Sequence, residues 1–411
     1  MDYPTTMHGT QAGKPLAEAL PTEIKHEIFS YLTEDRKSLC SFAHVHRSWT
    51  DPAQYELFRR ARITSPDCLK SALDILSSER SSHLGVAVGE WILSGKAPGS
   101  IAKSWLSAGE TPGEWLPDPS LVPHLRSLRL EYWEPPRINP AFFDGMSKLT
   151  NLSELHLHNC TFRNTQVFAD VLFHAKRIGT LTLSGVKWES LKGDFTPTVS
   201  HREHFVPLET LRIRNPRTDY GPLFRWFAKH VVSPRYLEVT MCDPENARHV
   251  GWYIQQAGYR LEEFVCGLCL PATDDPWEFD YLNLEDSRML RTLSFDIYDS
   301  QPFYLHWVYK VLSSATVCPL QDVAFSLALR SRASLWSVPW EVIHSLFTTE
   351  WKKTLRHVAI THRSDWRFLE DATSAFVDRF PELAKRRKLS VFNVETEDSA
   401  ATRPPHRRKA S

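Results

Sequence analysis

One short apolar motif, LxxLxL with substitutions among apolar residues, recurs ten times in the chain between Leu125 and Val391. Its units are Leu125/Leu128/Leu130, Leu152/Leu155/Leu157, Ile178/Leu181/Leu183, Leu208/Leu211/Ile213, Pro234/Leu237/Val239, Leu261/Phe264/Cys266, Leu290/Leu293/Phe295, Leu320/Val323/Phe325, Leu355/Val358/Ile360 and Arg386/Leu389/Val391. Successive first positions lie 26 to 35 residues apart. A motif at that interval is one strand plus a return segment, too small to bury its own apolar face, so neighbouring units must stack into a solenoid. Pro234 and Arg386 make the fifth and tenth units the weakest matches. Between motifs lie stretches with helical spacing, among them Leu223, Phe224, Phe227 and Val231, and Trp340, Ile343, Leu346 and Phe347. Strand then helix, repeated, predicts a parallel sheet with right-handed crossovers.

An array relaxes the usual estimate of two or three globular domains for 411 residues. Lys and Arg total 49 and Asp and Glu total 49, so net charge gives no reason to expect nucleic acid or an anionic membrane as partner. No apolar run approaches the roughly 18 to 20 residues of a membrane span, and the first 16 residues lack the apolar core of a signal peptide. These features predict a cytoplasmic or nuclear location. Seven cysteines, an odd number, do not form a disulfide framework. Cys266 and Cys269 make a lone CxxC, but Cys266 is an apolar motif position, which predicts a buried structural cysteine rather than a zinc ligand.

Ahead of the array, residues 20–63 are patterned differently. Leu20, Ile24, Ile28 and Leu32 are spaced four apart and predict one helix, with Pro21 tolerated in its first turn. A second helix is expected after Thr33 to Asp35, burying Leu39, Phe42, Ala43 and Val45. A third is expected to be capped by Asp51, with Pro52 at its first position and Tyr55, Phe58 and Arg62 at helical spacing. So small a core predicts that some of this apolar surface needs a partner. The order LPxEI, IFxYL, a Leu-rich helix and VxRxW resembles the F-box, the adaptor-binding module of cullin-RING ubiquitin ligases. The matching residues are Leu20, Pro21, Glu23, Ile24, Ile28, Phe29, Leu32, Leu39, Val45, Arg47 and Trp49. With the repeats, the chain resembles fungal-type F-box proteins carrying a leucine-rich-repeat-like C-terminal domain.

That resemblance implies an α/β fold: a three-helix F-box followed by an irregular leucine-rich-repeat horseshoe. The expected divisions are a disordered N-terminus at 1–16, the F-box at 17–63, connecting structure at 64–120, the solenoid at 121–394 and a disordered basic tail at 395–411. Within 64–120, Leu69, Leu73 and Leu76 predict a helix, Leu84, Val86 and Val88 a short strand, and Gly95 to Pro119 a loop. The basic stretch Lys385 to Lys388 is expected to border the last strand. The resemblance implies that Leu20, Pro21, Ile24, Ile28, Leu32, Val45 and Trp49 bind a Skp-family adaptor, and through it a cullin.

Residues between the motif leucines point away from the core by strand alternation. Arg129, His156, His158, Arg212 and Arg214 therefore form the expected substrate-binding set, on a concave face able to take acidic or phosphorylated groups of a protein target. His156 and His158 could also share a metal, but no third ligand is apparent and no metal or other cofactor is expected. Two insertions, 186–207 with Trp188, His201 and His204, and the acidic 273–287, interrupt the rhythm and are expected at the edges of the array. The chain has no GxSxG, HExxH, P-loop or GxGxxG, and no catalytic residue is assigned. The expected function is a non-catalytic substrate receptor of an SCF-type ubiquitin ligase. The rival is a non-degradative repeat scaffold.

Overall fold

The computed structural model describes residues 20–33, 35–96, 115–134, 140–175, 177–189, 206–214, 219–231, 233–241, 244–268, 281–298, 306–329, 339–364 and 369–393. The chain enters through three helices, α1 (Thr22–Ser30), α2 (Arg36–Val45) and α3 (Arg47–Phe58). Asp35 caps α2 by accepting the Ser38 amide at 3.1 Å and the Ser38 hydroxyl at 2.6 Å. The third helix starts four residues before the expected Asp51. The ring Nδ1 of His46 accepts the Ser48 amide at 3.1 Å, so the cap lies upstream and Pro52 is inside the helix. Trp49, in that added turn, is pinned by Phe29 and Phe42 at 5.4 Å between ring centres. Phe29, Leu39 and Ala53 form the centre of this small core, with Leu32, Phe42, Ala43, Trp49 and Leu57 around it. Val45, expected inside, is exposed.

A 12-stranded sheet follows, and every strand pair in it is parallel. Its members are β1 (Arg60–Ile63), β2 (Glu90–Ser94), β3 (Ser127–Glu131), β4 (Glu154–His158), β6 (Thr180–Ser184), β8 (Thr210–Arg214), β9 (Tyr236–Met241), β10 (Glu263–Leu268), β11 (Thr292–Tyr298), β12 (Asp322–Leu329), β13 (His357–Ser364) and β14 (Leu389–Asn393). Short β5 (Thr161–Phe162) and β7 (Lys187–Trp188) pair separately, in parallel, and bury Trp188 at the start of the first insertion. The large sheet is open, its strands run in chain order, and twelve of them at about 4.8 Å spacing span roughly 50 Å. Each of the ten repeat motifs carries one strand, including the fifth and tenth.

The sheet also reaches further toward the N-terminus than the expected array. Arg62 lies on β1 rather than on a helix, and residues 82–87 are helical, so the strand expected at Leu84 to Val88 lies at 90–94 instead. The cause is visible in the rungs. Ala61, Trp91, Leu128, Leu155, Leu181, Leu211, Leu237, Phe264, Leu293, Val323, Val358 and Leu389 occupy one continuous register row, and Ile63, Leu93, Leu130, Leu157, Leu183, Ile213, Val239, Cys266, Phe295, Phe325, Ile360 and Val391 another. Strands β1 and β2 supply the first two members of each.

The return segments carry α4 (Pro66–Ser77), α5 (Ser82–Ala87), α6 (Pro140–Lys148), α7 (Thr165–His174), α8 (Gly221–His230), α9 (Pro244–Ala257), α10 (His306–Ser314), α11 (Trp340–Thr349), α12 (Leu369–Arg379) and α13 (Pro381–Lys385). Their apolar faces join the two rungs in a single core, through Phe168, Val171 and Leu172 of α7, Phe224 and Phe227 of α8, and Ile343 and Phe347 of α11. Two indole donors find carbonyls within it: Trp91 Nε1 donates to Trp115 at 3.3 Å and Trp351 Nε1 to Cys318 at 3.1 Å. Packing against the return loops is close enough that a Cβ on Gly251, in α9, would sit 1.8 Å from the Tyr281 carbonyl oxygen. Residues 385–388 do border the last strand, Lys388 Nζ donating to the Leu355 carbonyl.

Fully buried Leu155 and Leu211 each lie between two strands of the same row. Truncation of either to alanine leaves a cavity that the flanking strands cannot close, and should cost about 2–5 kcal/mol. Denaturant unfolding checks this, and a loss under about 1 kcal/mol would contradict a shared core at these positions.

Candidate functional site: the open sheet face and the exposed helix surface

Strand alternation turns a polar row outward between the two apolar ones. In register order it begins Arg62, Ile92, Arg129, His156, Thr182, Arg212, Glu238 and Val265. Arg129 and His156 are therefore direct neighbours, and Arg212 lies three strands from Arg129, about 14 Å along the sheet. His158 and Arg214 stand one row further along their strands, separated by Ser184.

The arginines are not isolated charges. Glu238, buried on β9, holds both Arg212 and Arg214. The Arg214 guanidinium forks onto it, with Nε on Oε1 and Nη2 on Oε2 at 2.9 Å, while Arg212 Nε lies 3.4 Å from Oε2. Tyr236 donates its hydroxyl to the same carboxylate at 3.1 Å, and the Arg212 guanidinium sits 5.0 Å over the Tyr236 ring. Burial, reinforced by Glu238, pushes the Tyr236 phenol up to about 12, so it remains a donor at neutral pH. A second centre forms at the beginning of the sheet. Arg129 Nη2 is 3.2 Å from Glu90 and Arg62 Nη2 is 2.5 Å from Glu131, which is buried. Alternation along the strands places Glu131 and Glu238 on the same outward face as these arginines, but which carboxylate takes which arginine depends on partners a repeat or more away in the chain.

His156 contacts Glu154 through Nε2 at 3.3 Å. Desolvation nonetheless holds its imidazole below the usual 6.5, so the positive charge of this face at neutral pH belongs to the arginines. Among the described residues, the one group of three metal-capable side chains is Asp219, Glu245 and His249, away from His156 and His158. His249 Nε2 lies 3.4 Å from Asp219 and 4.0 Å from Glu245, and its ring packs on Gly221, so the trio ties the start of α8 to α9. Cys160, Cys266 and Cys318 are buried thiols held above their usual pKa by burial. His201, His204 and Cys269 lie outside the described residues.

The three-helix module presents a different surface. Phe29 and Lys25 form the buried side of α1, which leaves Ile24 and Ile28 outward with 41% and 37% of their surface accessible. Tyr31 at 82% and Val45 at 68% are more exposed still. Pro21 is exposed as well, and Leu20 is half-buried. Residues 17–64 match the family model described as F-box-like. This part of the chain is an F-box-like domain. No curated protein matches the chain.

The seven residues expected to contact an adaptor divide in two on this F-box-like domain. Pro21, Ile24, Ile28 and Val45 are available on its surface, whereas Leu32 and Trp49 pack against its core and Leu20 is half-buried. The helical period alone did not separate these roles, because Leu32 follows the Ile24 and Ile28 spacing but lies beyond the end of α1, where the chain has turned inward.

Burial depresses His156, His230, His344 and His362 together. A histidine whose folded pKa lies below its unfolded value of about 6.5 takes up a proton on unfolding, so stability is present above that value and is lost as pH falls beneath it. The melting temperature should therefore decrease between about pH 7.5 and pH 5.5. Calorimetry across that range checks the sign, and a rising melting temperature toward pH 5.5 would contradict it.

Proposed function

We propose that the protein is a substrate receptor of an SCF-type cullin-RING ubiquitin ligase, of the fungal-type F-box class with a leucine-rich-repeat-like array. The observation that carries the reading is the F-box-like domain at 17–64 with Ile24, Ile28, Tyr31 and Val45 on its outside. Large apolar side chains clustered on the surface of so small a core have the composition of an interface. Their partner in this reading is a Skp-family adaptor, through which a cullin is recruited. The repeat sheet then holds a protein target beside the ubiquitin-charged enzyme. Transfer is accelerated by raising the effective concentration of target lysines, with no reacting group supplied by this chain.

Ile24→Asp with Ile28→Asp tests adaptor docking without emptying the helical core, since both side chains face outward. Co-precipitation of the adaptor should drop by at least about tenfold, corresponding to the loss of roughly 1.4 kcal/mol or more, with the melting temperature of the chain little changed. Undiminished capture by the double variant would remove the adaptor from the reading.

Target binding is proposed for the open face carrying Arg129, His156, His158, Arg212 and Arg214. Reversing Arg212 and Arg214 to glutamate is a poor probe, because it would set two further carboxylates beside buried Glu238. Arg129→Gln with His156→Gln is the cleaner variant. In affinity purification with quantitative mass spectrometry it should lose target proteins several-fold relative to the adaptor. Equal recovery of every co-purifying protein would move recognition to the insertions at 186–207 or 273–287.

A further inference from the structure

Where the F-box-like domain meets the first strands, the surface folds into a cleft of about 380 Å³. Arg36 on α2, Arg59 just beyond α3, Arg60 and Arg62 on β1 and Arg129 on β3 line it, together with the carboxylates Glu56 and Glu90. Five guanidiniums against two carboxylates leave an excess of three positive charges, and the pairing of Arg62 with Glu131 removes only one. In a chain with 49 charges of each sign, that local excess is a departure from the whole.

The carboxylates present are already in use. Glu56 takes Arg59 at 3.4 Å, and Glu90 takes both Arg60 at 3.1 Å and Arg129 at 3.2 Å. Donor capacity remains beyond them. Among the described residues Arg36 pairs with no carboxylate and donates one long bond, 3.5 Å, to the Leu57 carbonyl. Arg129 Nε is buried with no acceptor. A buried N–H without an acceptor is costly, and a wall of like charges repels itself, so both features favour an anion in the cleft.

We infer that this cleft binds a small molecule carrying two or more phosphate groups, which bridges the F-box-like domain to the sheet. Guanidinium forks match phosphate oxygens in pairs, and the volume falls in the range of small-ligand sites rather than of an extended peptide groove. Because Arg36 belongs to the helical module and Arg129 to the sheet, a ligand that touches both fixes their relative placement. The inference is independent of adaptor docking, since none of the residues proposed for it lines the cleft; Arg129 is shared with the proposed target face, so the test varies Arg36.

Isothermal titration of the full chain with tripolyphosphate tests it, at about 0.15 M ionic strength, where exposed charges more than about 8 Å apart are screened. One saturable site is expected. Arg36→Glu should weaken it by at least about tenfold, and Arg36→Gln by less. Arg177→Glu, which makes the same charge change at an exposed position on the sheet domain, should leave it within about twofold. Melting temperatures of the variants measured without ligand separate lost binding from lost folding, and Arg36→Gln serves if Arg36→Glu proves unstable. No saturable binding, or equal losses in Arg36→Glu and Arg177→Glu, overturns the site. Saturable binding of a phosphoserine peptide but not of tripolyphosphate overturns the small-molecule assignment and makes the cleft a peptide-recognition site.

Discussion

Lateral burial of each strand's apolar side chains against the next strand holds this molecule together. No repeat owns a complete core: Leu155 is enclosed only because Leu128 stands in register on one side and Leu181 on the other. At about 1.5–3 kcal/mol per buried aliphatic side chain, two rows of such residues supply a driving force that grows with each added strand. The same dependence makes the ends of the sheet special, since an end strand has one neighbour instead of two. At the N-terminal end β1 follows α3 after a single residue, so the edge is joined directly to the helical module. The register of the sheet thereby fixes where the helices of the F-box-like domain end.

The ten motifs translated into ten strands because LxxLxL specifies two inward side chains separated by one outward residue, which is strand geometry and nothing else. Strands β1 and β2 obey the same spacing in weaker residues. Val88, Trp91 and Leu93 repeat it 37 residues before Leu125, and Phe58, Ala61 and Ile63 repeat it 30 residues earlier again. Their rungs hold a tryptophan in β2 and a small alanine at the edge in place of the aliphatic residues of most units, and the step to Leu125 is longer than any within the ten, so they stand apart from the repeat in sequence. Misplacement of the strand at Leu84 to Val88 has the complementary cause. Three apolar residues at alternate positions look extended, but Leu84 and Ala87 bury together on one face of α5, and Val86 is exposed.

The functional surfaces were legible to different depths. On the helical module the sequence located the apolar residues but not which of them pack inside it, because a stripe at helical spacing does not say which of its members the module keeps for itself. Leu32 and Trp49 went inward to complete a core around Phe29 that is too small to spare them. On the sheet the outward residues follow directly from alternation, but their charge environment depends on pairings 24 to 69 residues apart in sequence, Arg214 with Glu238 and Arg62 with Glu131. Only the assembled register brings these partners together.

That register also explains the order of charges across the open face. In a parallel sheet the outward residues of one row stand about 4.8 Å apart, a distance at which like charges on adjacent strands repel by roughly 1 kcal/mol even in bulk water and by more near a protein surface. The row accordingly never places two arginines side by side: Ile92 separates Arg62 from Arg129, His156 and Thr182 separate Arg129 from Arg212, and Glu238 follows Arg212 directly. Depression of His156 by burial serves the same end, since a neutral imidazole beside Arg129 adds no repulsion. Local neutralisation thus accounts for much of the polar pattern without any ligand. It also marks where the pattern breaks, in the cleft between the helical module and the first strands, where arginines from two modules converge on two glutamates.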